Sequence, residues 1–302
     1  MAPASSRLHR PANLRPISIV QEIREGKMKK TLYIACVLLI LLTGCQSKAT
    51  PTPFVGTGTA QLGDITMYFE GAGTGKPLLL LGPGFWCADF WANKAELYSQ
   101  TYNVITPEAR GMCRTTGMDG EVSYHMMAED MIKLMDYLGI DKAAVVGSGD
   151  GAIIGLDVAI NHSDRLSALV SLGPIANPQS MTTEILDILK TSTVEGMRDF
   201  WASAEYQSKL PEPGNLDAFV EKYINMMLTE PNFTDEQLGS IKTPTMIVSG
   251  ETDWINRVET YQELVDKIPN AQLTTLGPAT PDILDMAPDK FNEAVLEFLK
   301  DK

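Results

Sequence analysis

The chain has 302 residues, of which 44% are hydrophobic, and its 25 Lys and Arg against 38 Asp and Glu leave a formal net charge of −13. Residues 1–44 hold seven basic and two acidic side chains, so the rest holds 18 basic against 36 acidic, a charge of −18. This acidity excludes nucleic-acid binding through phosphate contacts. The length beyond residue 44 is that of one sheet domain with an insertion.

The first 44 residues are predicted to lie outside the fold. Residues 1–27 show no hydrophobic periodicity and are interpreted as a non-native or disordered extension. Residues 28–44 form a predicted signal peptide, with a basic start at Met28-Lys29-Lys30 and an apolar run from Leu32 to Leu42. Because a bilayer span needs about 20 residues, this run is short for one, and an uncleaved anchor helix is the alternative.

The end of the apolar run carries a modification motif. Leu42-Thr43-Gly44-Cys45 resembles the lipobox of bacterial lipoproteins. The resemblance implies cleavage before Cys45, acylation of its sulfur and attachment to a membrane of the cell envelope, with residues 45–57 as the lipidated tether. Gln46, rather than an aspartate, implies the outer membrane if the cell is Gram-negative.

From about residue 58 onward, strand and helix patterns alternate. Ile65 to Phe69 alternates like a half-exposed strand, whereas the later runs are uniformly apolar, as in a parallel sheet covered on both faces. The pattern predicts an α/β fold with a mostly parallel, doubly wound sheet. The apolar runs are Pro77 to Leu81, Asn103 to Thr106, Ala143 to Gly147, Ala168 to Leu172, Thr245 to Ser249 and Gln272 to Leu276.

Helices are indicated where apolar residues recur at helical spacing. One stripe is Met127, Met131 and Leu134, followed by Gly139 as a C-terminal cap. Between residues 177 and 240, consecutive amphipathic patterns without a strand predict an inserted helical lid. Residues 58–176 and 241–302 are then the core of the fold.

A sharp turn is predicted between the strand at 143–147 and the helix after it. The segment Gly147-Ser148-Gly149-Asp150-Gly151 has the framing glycines of a Gly-x-Ser-x-Gly nucleophile elbow. Its central residue is Gly149, where a nucleophile belongs.

Four more segments occur in the order and spacing of a known fold. They are Gly82–Phe85, Pro107–Thr115, Ile247–Asp253 and Ala287–Phe291. With the elbow, they resemble the α/β-hydrolase superfamily, of the lidded esterase and haloalkane-dehalogenase-like kind.

The resemblance also implies which residues replace the catalytic triad. The nucleophile position is Gly149, the acid position is Asp253, and the histidine position is Pro281. Since neither glycine nor proline can attack a carbonyl or carry a proton, the chain is expected not to hydrolyse esters in the usual way. The histidine positions of the oxyanion loop and of the Arg-Gly-His segment are Gly82 and Met112.

A binding site is expected to survive the loss of the triad. Helix-start amides at Asp150 and Gly151, with an amide near Gly84 or Phe85, are predicted to hold a carbonyl oxygen. A neutral carbonyl is expected because Asp150 and Asp253 oppose an anion. Phe85, Trp86 and Trp254, with lid residues such as Phe200 and Trp201, are predicted to form apolar walls; the alternative is that they fill the pocket as core.

Cys87 and Cys113 remain after the leader is removed. In an exported protein they form a disulfide or stay as two free thiols, one of which a loop position can make reactive. No spacing of His, Cys and carboxylates predicts a metal site, and no cofactor is expected. His125 and His162 are predicted to have surface roles.

The favoured hypothesis is a membrane-anchored protein that binds a small, apolar, carbonyl-bearing ligand without hydrolysing it. It resembles in this respect the N-myc downstream-regulated proteins, which keep the fold without a working triad. Two alternatives stand: an ester hydrolase or other enzyme of this fold with non-standard residues, and an envelope scaffold whose lid binds an unknown protein.

Overall fold

The computed structural model describes residues 52–277, 279–280 and 282–302. The predicted signal peptide, the lipidation site Cys45 and the histidine position Pro281 lie outside these residues. No helix in the described ranges is both long enough and apolar enough to cross a bilayer.

The centre of the fold is a twisted sheet of eight strands in the order β1-β2-β4-β3-β5-β6-β7-β9. β1 pairs antiparallel with β2, and β2 with β4, whereas every later pair is parallel. This arrangement confirms the predicted mostly parallel α/β sheet. The strands are β1 Gly56–Leu62, β2 Ile65–Ala72, β3 Lys76–Leu81, β4 Tyr102–Pro107, β5 Ala143–Ser148, β6 Leu166–Leu172, β7 Thr245–Ser249 and β9 Ala271–Thr275.

Helices cover both faces of the sheet. They are α1 Ala92–Tyr98, α2 Tyr124–Tyr137, α3 Asp150–Asn161, α4 Thr183–Thr191, α5 Val194–Trp201, α6 Ala204–Lys209, α7 Leu216–Thr229, α8 Asp235–Gly239, α9 Glu259–Lys267, α10 Ile283–Met286 and α11 Pro288–Leu299. Short 3-10 turns lie at Ala88–Trp91, Ser163–Arg165, Pro178–Ser180 and Pro213–Asn215.

The alternation of side chains along each strand divides the core into two layers. In β3, Leu79 and Leu81 join the buried cluster that contains α2, α3 and the lid helices, whereas Leu78 and Leu80 join the cluster that contains α1 and α11. Successive strand residues point to opposite faces, so uniformly apolar strands need both layers.

The lid is the run of helices α4 to α8 between β6 and β7. Several of these helices begin with a hydroxyl side chain that accepts from a first-turn amide: Thr182, Thr193, Ser203 and Thr234. Such caps satisfy amides that have no acceptor inside the helix. The predicted helical insertion is therefore present.

Candidate functional site

The turn after β5 has the geometry that the sequence predicts. Gly149 lies at its tip with φ 55° and ψ −118°, a backbone conformation that residues with a Cβ rarely adopt. A Cβ on Gly147 would overlap the carbonyl of Gly151, and one on Gly151 would overlap the carbonyl of Leu81. The framing glycines are therefore needed for the chain to turn and for α3 to pack against β3.

The Asp150 carboxylate, next to this tip, accepts a hydrogen bond from a backbone amide that was predicted to hold a ligand. Its Oδ2 accepts from the backbone amide of Gly84 at 2.7 Å, and its Oδ1 accepts from the hydroxyl of Tyr124 at 2.5 Å. The amide of Phe85 donates instead to the sulfur of Met112, at 3.2 Å. The prediction of free oxyanion-loop amides at Gly84 and Phe85 is therefore wrong, because side chains far away in sequence use them.

Two buried tyrosines flank the same carboxylate. Burial, and then the negative charge of Asp150, raises the pKa of both Tyr124 and Tyr223 well above the ordinary value, so both hydroxyls keep their protons. A Cβ on Gly84 would lie 2.7 Å from Asp150 Oδ2 and would overlap the Tyr223 hydroxyl. Gly84 is thus needed for the close approach of the carboxylate.

The acid position lies on the opposite side of the site. Asp253 Oδ1 accepts from the amides of Ile255 at 2.7 Å and Asn256 at 3.0 Å, and its Oδ2 accepts from the hydroxyl of Tyr261. Burial raises the pKa of Asp253, and the hydrogen bond from Tyr261 opposes this rise. The carboxylate is thus oriented by its own loop.

A short parallel pair of strands joins the acid loop to the segment of the histidine position. β8 (Thr252–Asp253) pairs with β10 (Ala279–Thr280), and Thr280 stands opposite Asp253 in the register. The backbone of the acid loop is therefore paired with the two residues Ala279 and Thr280.

Between the elbow and the acid loop lies a cavity of about 640 Å³. The nucleophile and acid positions, Gly149 and Asp253, both line it. The predicted binding residues Gly84, Phe85, Trp86, Asp150 and Trp254 line it too, whereas Gly151 does not. The pocket is therefore open, and Gly151 contributes to the turn rather than to the wall.

The aromatic residues of the cavity fall into two groups. Phe85 is buried, stacked on Trp201 with ring centroids 5.0 Å apart and packed edge-on against Tyr223. Trp86 and Trp254 are more than half exposed, and the lid residue Phe200 is 76% exposed. The alternative that these side chains fill the pocket as core thus holds for Phe85. It does not hold for Trp86, Trp254 and Phe200, which form the rim of the cavity.

Cys87 and Cys113 are joined by a disulfide, with their Cα atoms 5.6 Å apart. With Glu108 they also form a group of metal-ligand types among the described residues. The Glu108 carboxylate, however, accepts from the Ala88 amide at 3.1 Å and the Arg114 amide at 2.7 Å, and it pairs with the Arg114 guanidinium. Since its partners are protein donors and both sulfurs are bonded, this group does not fit a cation.

Neither described histidine lines the cavity. His125 Nδ1 on α2 contacts Asp157 on α3 at 2.9 Å, and His162 Nε2 contacts Glu129 at 2.5 Å. His9 lies outside the described residues. No imidazole in the described ranges is therefore placed to act as a general base for a nucleophile at this site.

Several cavity residues escape sequence reasoning. Lys94 and the carboxylates Asp89, Asp282 and Asp285 line the cavity, together with Tyr124 and Asn256. The one available signal was the pair Asp282 and Asp285, three residues apart in a helix-like segment after Pro281.

Comparison with known sequences places these features in a family. A family model described as alpha/beta hydrolase fold matches residues 76–236. A putative carbamate hydrolase RutD of Caulobacter segnis is 26% identical over 248 residues, which cover 75% of this chain and 92% of the relative. A 2-hydroxy-6-oxo-6-phenylhexa-2,4-dienoate hydrolase of Burkholderia cepacia is 24% identical, covering 84% and 98%.

Solved structures agree with this fold. A putative lipase from Acinetobacter baumannii superposes with a TM-score of 0.69 at 22% identity, over 82% of this chain and 91% of the other. Est816, an N-acyl homoserine lactone degrading enzyme, gives a TM-score of 0.66 at 23% identity, over 80% and 100%. At this identity the likeness concerns the fold alone.

Proposed function

Since the chain belongs to the α/β-hydrolase fold family, we propose that it binds a small organic molecule in the cavity between the elbow and the acid loop and does not hydrolyse it. One observation carries the proposal. The Asp150 carboxylate accepts the hydrogen bond of the Gly84 amide next to a nucleophile position that is glycine, and the cavity nevertheless stays open. The site has space for a ligand and has no nucleophilic side chain at the tip of the elbow.

The chemistry of acyl transfer supports this proposal. A tetrahedral intermediate needs free donors at its oxyanion, and removing one such donor costs about 100–1000-fold in rate. Here a carboxylate already accepts from the Gly84 amide, so an oxyanion at that amide would meet a second negative charge. Both the attacking group and the charge stabilisation are thus affected.

The relatives named as hydrolases support a second candidate, hydrolysis through residues that the family does not use. Asp253 keeps its position and its orienting hydrogen bonds, and Ser148 lines the cavity one residue before the tip. The scaffold alternative predicts a filled pocket, and the open cavity does not support it.

The test is an ester-hydrolysis assay on the full-length chain and on its Ser148→Ala variant, with p-nitrophenyl acetate and butyrate. We expect no turnover above the rate without protein in either. Turnover that Ser148→Ala abolishes would overturn the proposal in favour of the second candidate. Turnover equal in both proteins points to another nucleophile or a contaminant, which an Asp150→Asn variant and repurification distinguish.

We further propose that acylation of Cys45 holds the protein at a membrane of the cell envelope. The motif Leu42-Thr43-Gly44-Cys45 supports this proposal. Buried acyl methylenes contribute roughly 0.8 kcal/mol each, so more than one chain gives stable attachment. A Cys45→Ala variant is expected to leave the membrane fraction and to lose incorporation of labelled palmitate; unchanged fractionation would contradict the proposal.

A further inference from the structure

The cavity carries an unbalanced charge. Among its described lining residues are five aspartates, Asp89, Asp150, Asp253, Asp282 and Asp285, and one lysine, Lys94. Lys209 neutralises Asp89 at 3.0 Å, outside the cavity wall. Lys94 lies near Asp285, and burial lowers the pKa of its ammonium group. The five carboxylates therefore outnumber the two ammonium groups, and the wall carries a net negative charge.

Asp282 and Asp285 differ in their surroundings from Asp150 and Asp253. The inner pair accept hydrogen bonds from amides and tyrosine hydroxyls, whereas Asp282 and Asp285 are exposed on the short segment around α10. The Asp282 carboxylate accepts from the Trp254 indole, 3.4 Å from Nε1 to Oδ2. A carboxylate thus stands beside an exposed aromatic ring at the cavity.

Asn256 lines the cavity and also holds a buried acceptor. Asn256 is 5% exposed, and its Nδ2 donates to the Gly173 carbonyl at 3.2 Å and to the Tyr261 hydroxyl at 3.1 Å. Those two bonds fix the orientation of the amide, and its Oδ1 has no donor among the described residues. An unsatisfied buried acceptor costs about 1–3 kcal/mol, so the fold carries this cost next to the cavity.

The aromatic rim suits the same kind of ligand. Trp86 packs against Phe90 with centroids 5.2 Å apart, and both line the cavity along with Trp254 and the exposed Phe200. The face of an aromatic ring carries negative charge density and attracts cations that lie within about 6 Å of its centre. The aromatic faces and the carboxylates of the cavity thus both favour a cation.

We propose that the ligand of this cavity is an organic cation, an ammonium group on an apolar or aromatic body. The inference rests on the proposed function and names the class of molecule that the site binds. The cationic group lies at the rim between Trp254, Asp282 and Asp285, and the apolar body extends toward Phe200 and Trp86. This replaces the expected neutral carbonyl ligand, for which the oxyanion-loop amides are no longer available.

The test compares three compounds with one carbon skeleton and different head groups, 4-phenylbutylamine, 4-phenylbutan-1-ol and 4-phenylbutanoate, by calorimetric titration of the full-length chain. At neutral pH the amine is expected to bind about tenfold more tightly than the alcohol, and the carboxylate more weakly than either. Added salt is expected to reduce the advantage of the amine.

Two matched variants test whether the amine binds at Asp282 and Asp285. An Asp282→Asn/Asp285→Asn double variant is expected to lose about tenfold in amine affinity while its alcohol affinity is unchanged. Asp301→Asn removes a charge from an exposed residue that does not line the cavity, and we expect it to leave amine affinity unchanged.

The outcomes separate the two proposals. Equal or tighter binding of the alcohol or the carboxylate would overturn the cation inference and leave the ligand-binding function standing. An amine preference that survives in the double variant would also overturn it, because the cation would then lie elsewhere. Failure of all three compounds to bind would overturn the proposed function as well.

Discussion

Two regions at the carboxyl edge of the sheet hold charge in opposite ways. The segment after β4 contributes Glu108, Arg110 and the partly exposed Arg114 to a charge cluster that Asp130 of α2 completes. Every member of this cluster has an oppositely charged partner. The cavity has several carboxylates and one lysine among its described lining residues. Buried charges are tolerated when paired and hydrogen-bonded, so the first region is explained by folding alone. The second has an excess of negative charge that folding does not require.

The strongest test of this comparison is the removal of Arg110. Its guanidinium is 1% exposed and binds Asp130, which is fully buried, at 2.9 Å, and Asp64 at 2.6 Å. Arg110→Met leaves the buried Asp130 with Lys133 at 3.1 Å as a remaining cationic partner, and we expect a loss of about 3 kcal/mol in the free energy of unfolding measured in urea. Asp282→Asn, in the cavity, is expected to change that free energy little.

Arg198→Met is the matched control for Arg110→Met. Arg198 pairs with Asp199 and Asp217, both of which are well exposed, so its removal is expected to cost far less. A loss in Asp282→Asn as large as that in Arg110→Met would contradict the distinction between a folding cluster and a binding surface.

The disulfide offers the next largest effect, because it ties the two regions together. Cys87 lies in the loop after β3, which lines the cavity, and Cys113 lies in the segment of the charge cluster; 26 residues separate them. Closing a loop of this length stabilises a fold by about 3 kcal/mol through the unfolded chain. The Cys87→Ser/Cys113→Ser variant is expected to lose this amount in urea unfolding. Full stability in the double variant, or in reduced wild-type protein, would contradict it.

The sequence predicts the backbone of the site better than its side-chain contacts. Apolar runs were enough for the sheet, since the pattern of β5 reflects burial on both faces and needs no distant partner. The turn at Gly149 followed from its framing glycines, whose carbonyl neighbours come from adjacent elements. Local chemistry therefore predicted the backbone of the site.

Contacts between distant residues account for what was missed. The bond from the Gly84 amide to Asp150 spans 66 residues, and that from Tyr124 to Asp150 spans 26. Nothing in the local pattern indicates that a side chain beside the elbow turns toward the oxyanion loop. The position of Asp282 in the cavity wall likewise depends on how α10 packs against the rest of the fold.

A smaller effect is expected at Gly149, which belongs to the cavity wall and to the turn at once. A Cβ there would lie 3.2 Å from the Cβ of Pro83, and the φ of 55° disfavours any side chain. We expect Gly149→Ala to cost about 1–2 kcal/mol in unfolding free energy. Gly214→Ala, with open space around the added carbon, is the control and is expected to cost less. Equal costs would show that the tip is not under backbone constraint.

The smallest effect concerns His125 and Asp157, a pair that belongs to neither region. The hydrogen bond that His125 donates to Asp157 raises the pKa of His125, against the opposing effect of burial. The folded protein therefore holds this proton more tightly than the unfolded chain, so the stabilisation is complete below about pH 6.5 and is lost as pH rises through the folded pKa. Because the His125 side chain is 59% exposed, the contribution is below about 0.5 kcal/mol.

The measurement compares wild type with His125→Gln in urea unfolding across neutral pH. The advantage of wild type is expected to shrink as pH rises, and Asp157→Asn is expected to remove that pH dependence. An advantage that grows with pH would contradict the sign of the pKa shift. An exposed pair such as His125 and Asp157 contributes little to stability, so a loss of several kcal/mol when a charge is removed identifies a buried charge cluster. By the same argument, the small loss expected for Asp282→Asn fits a carboxylate that faces a ligand.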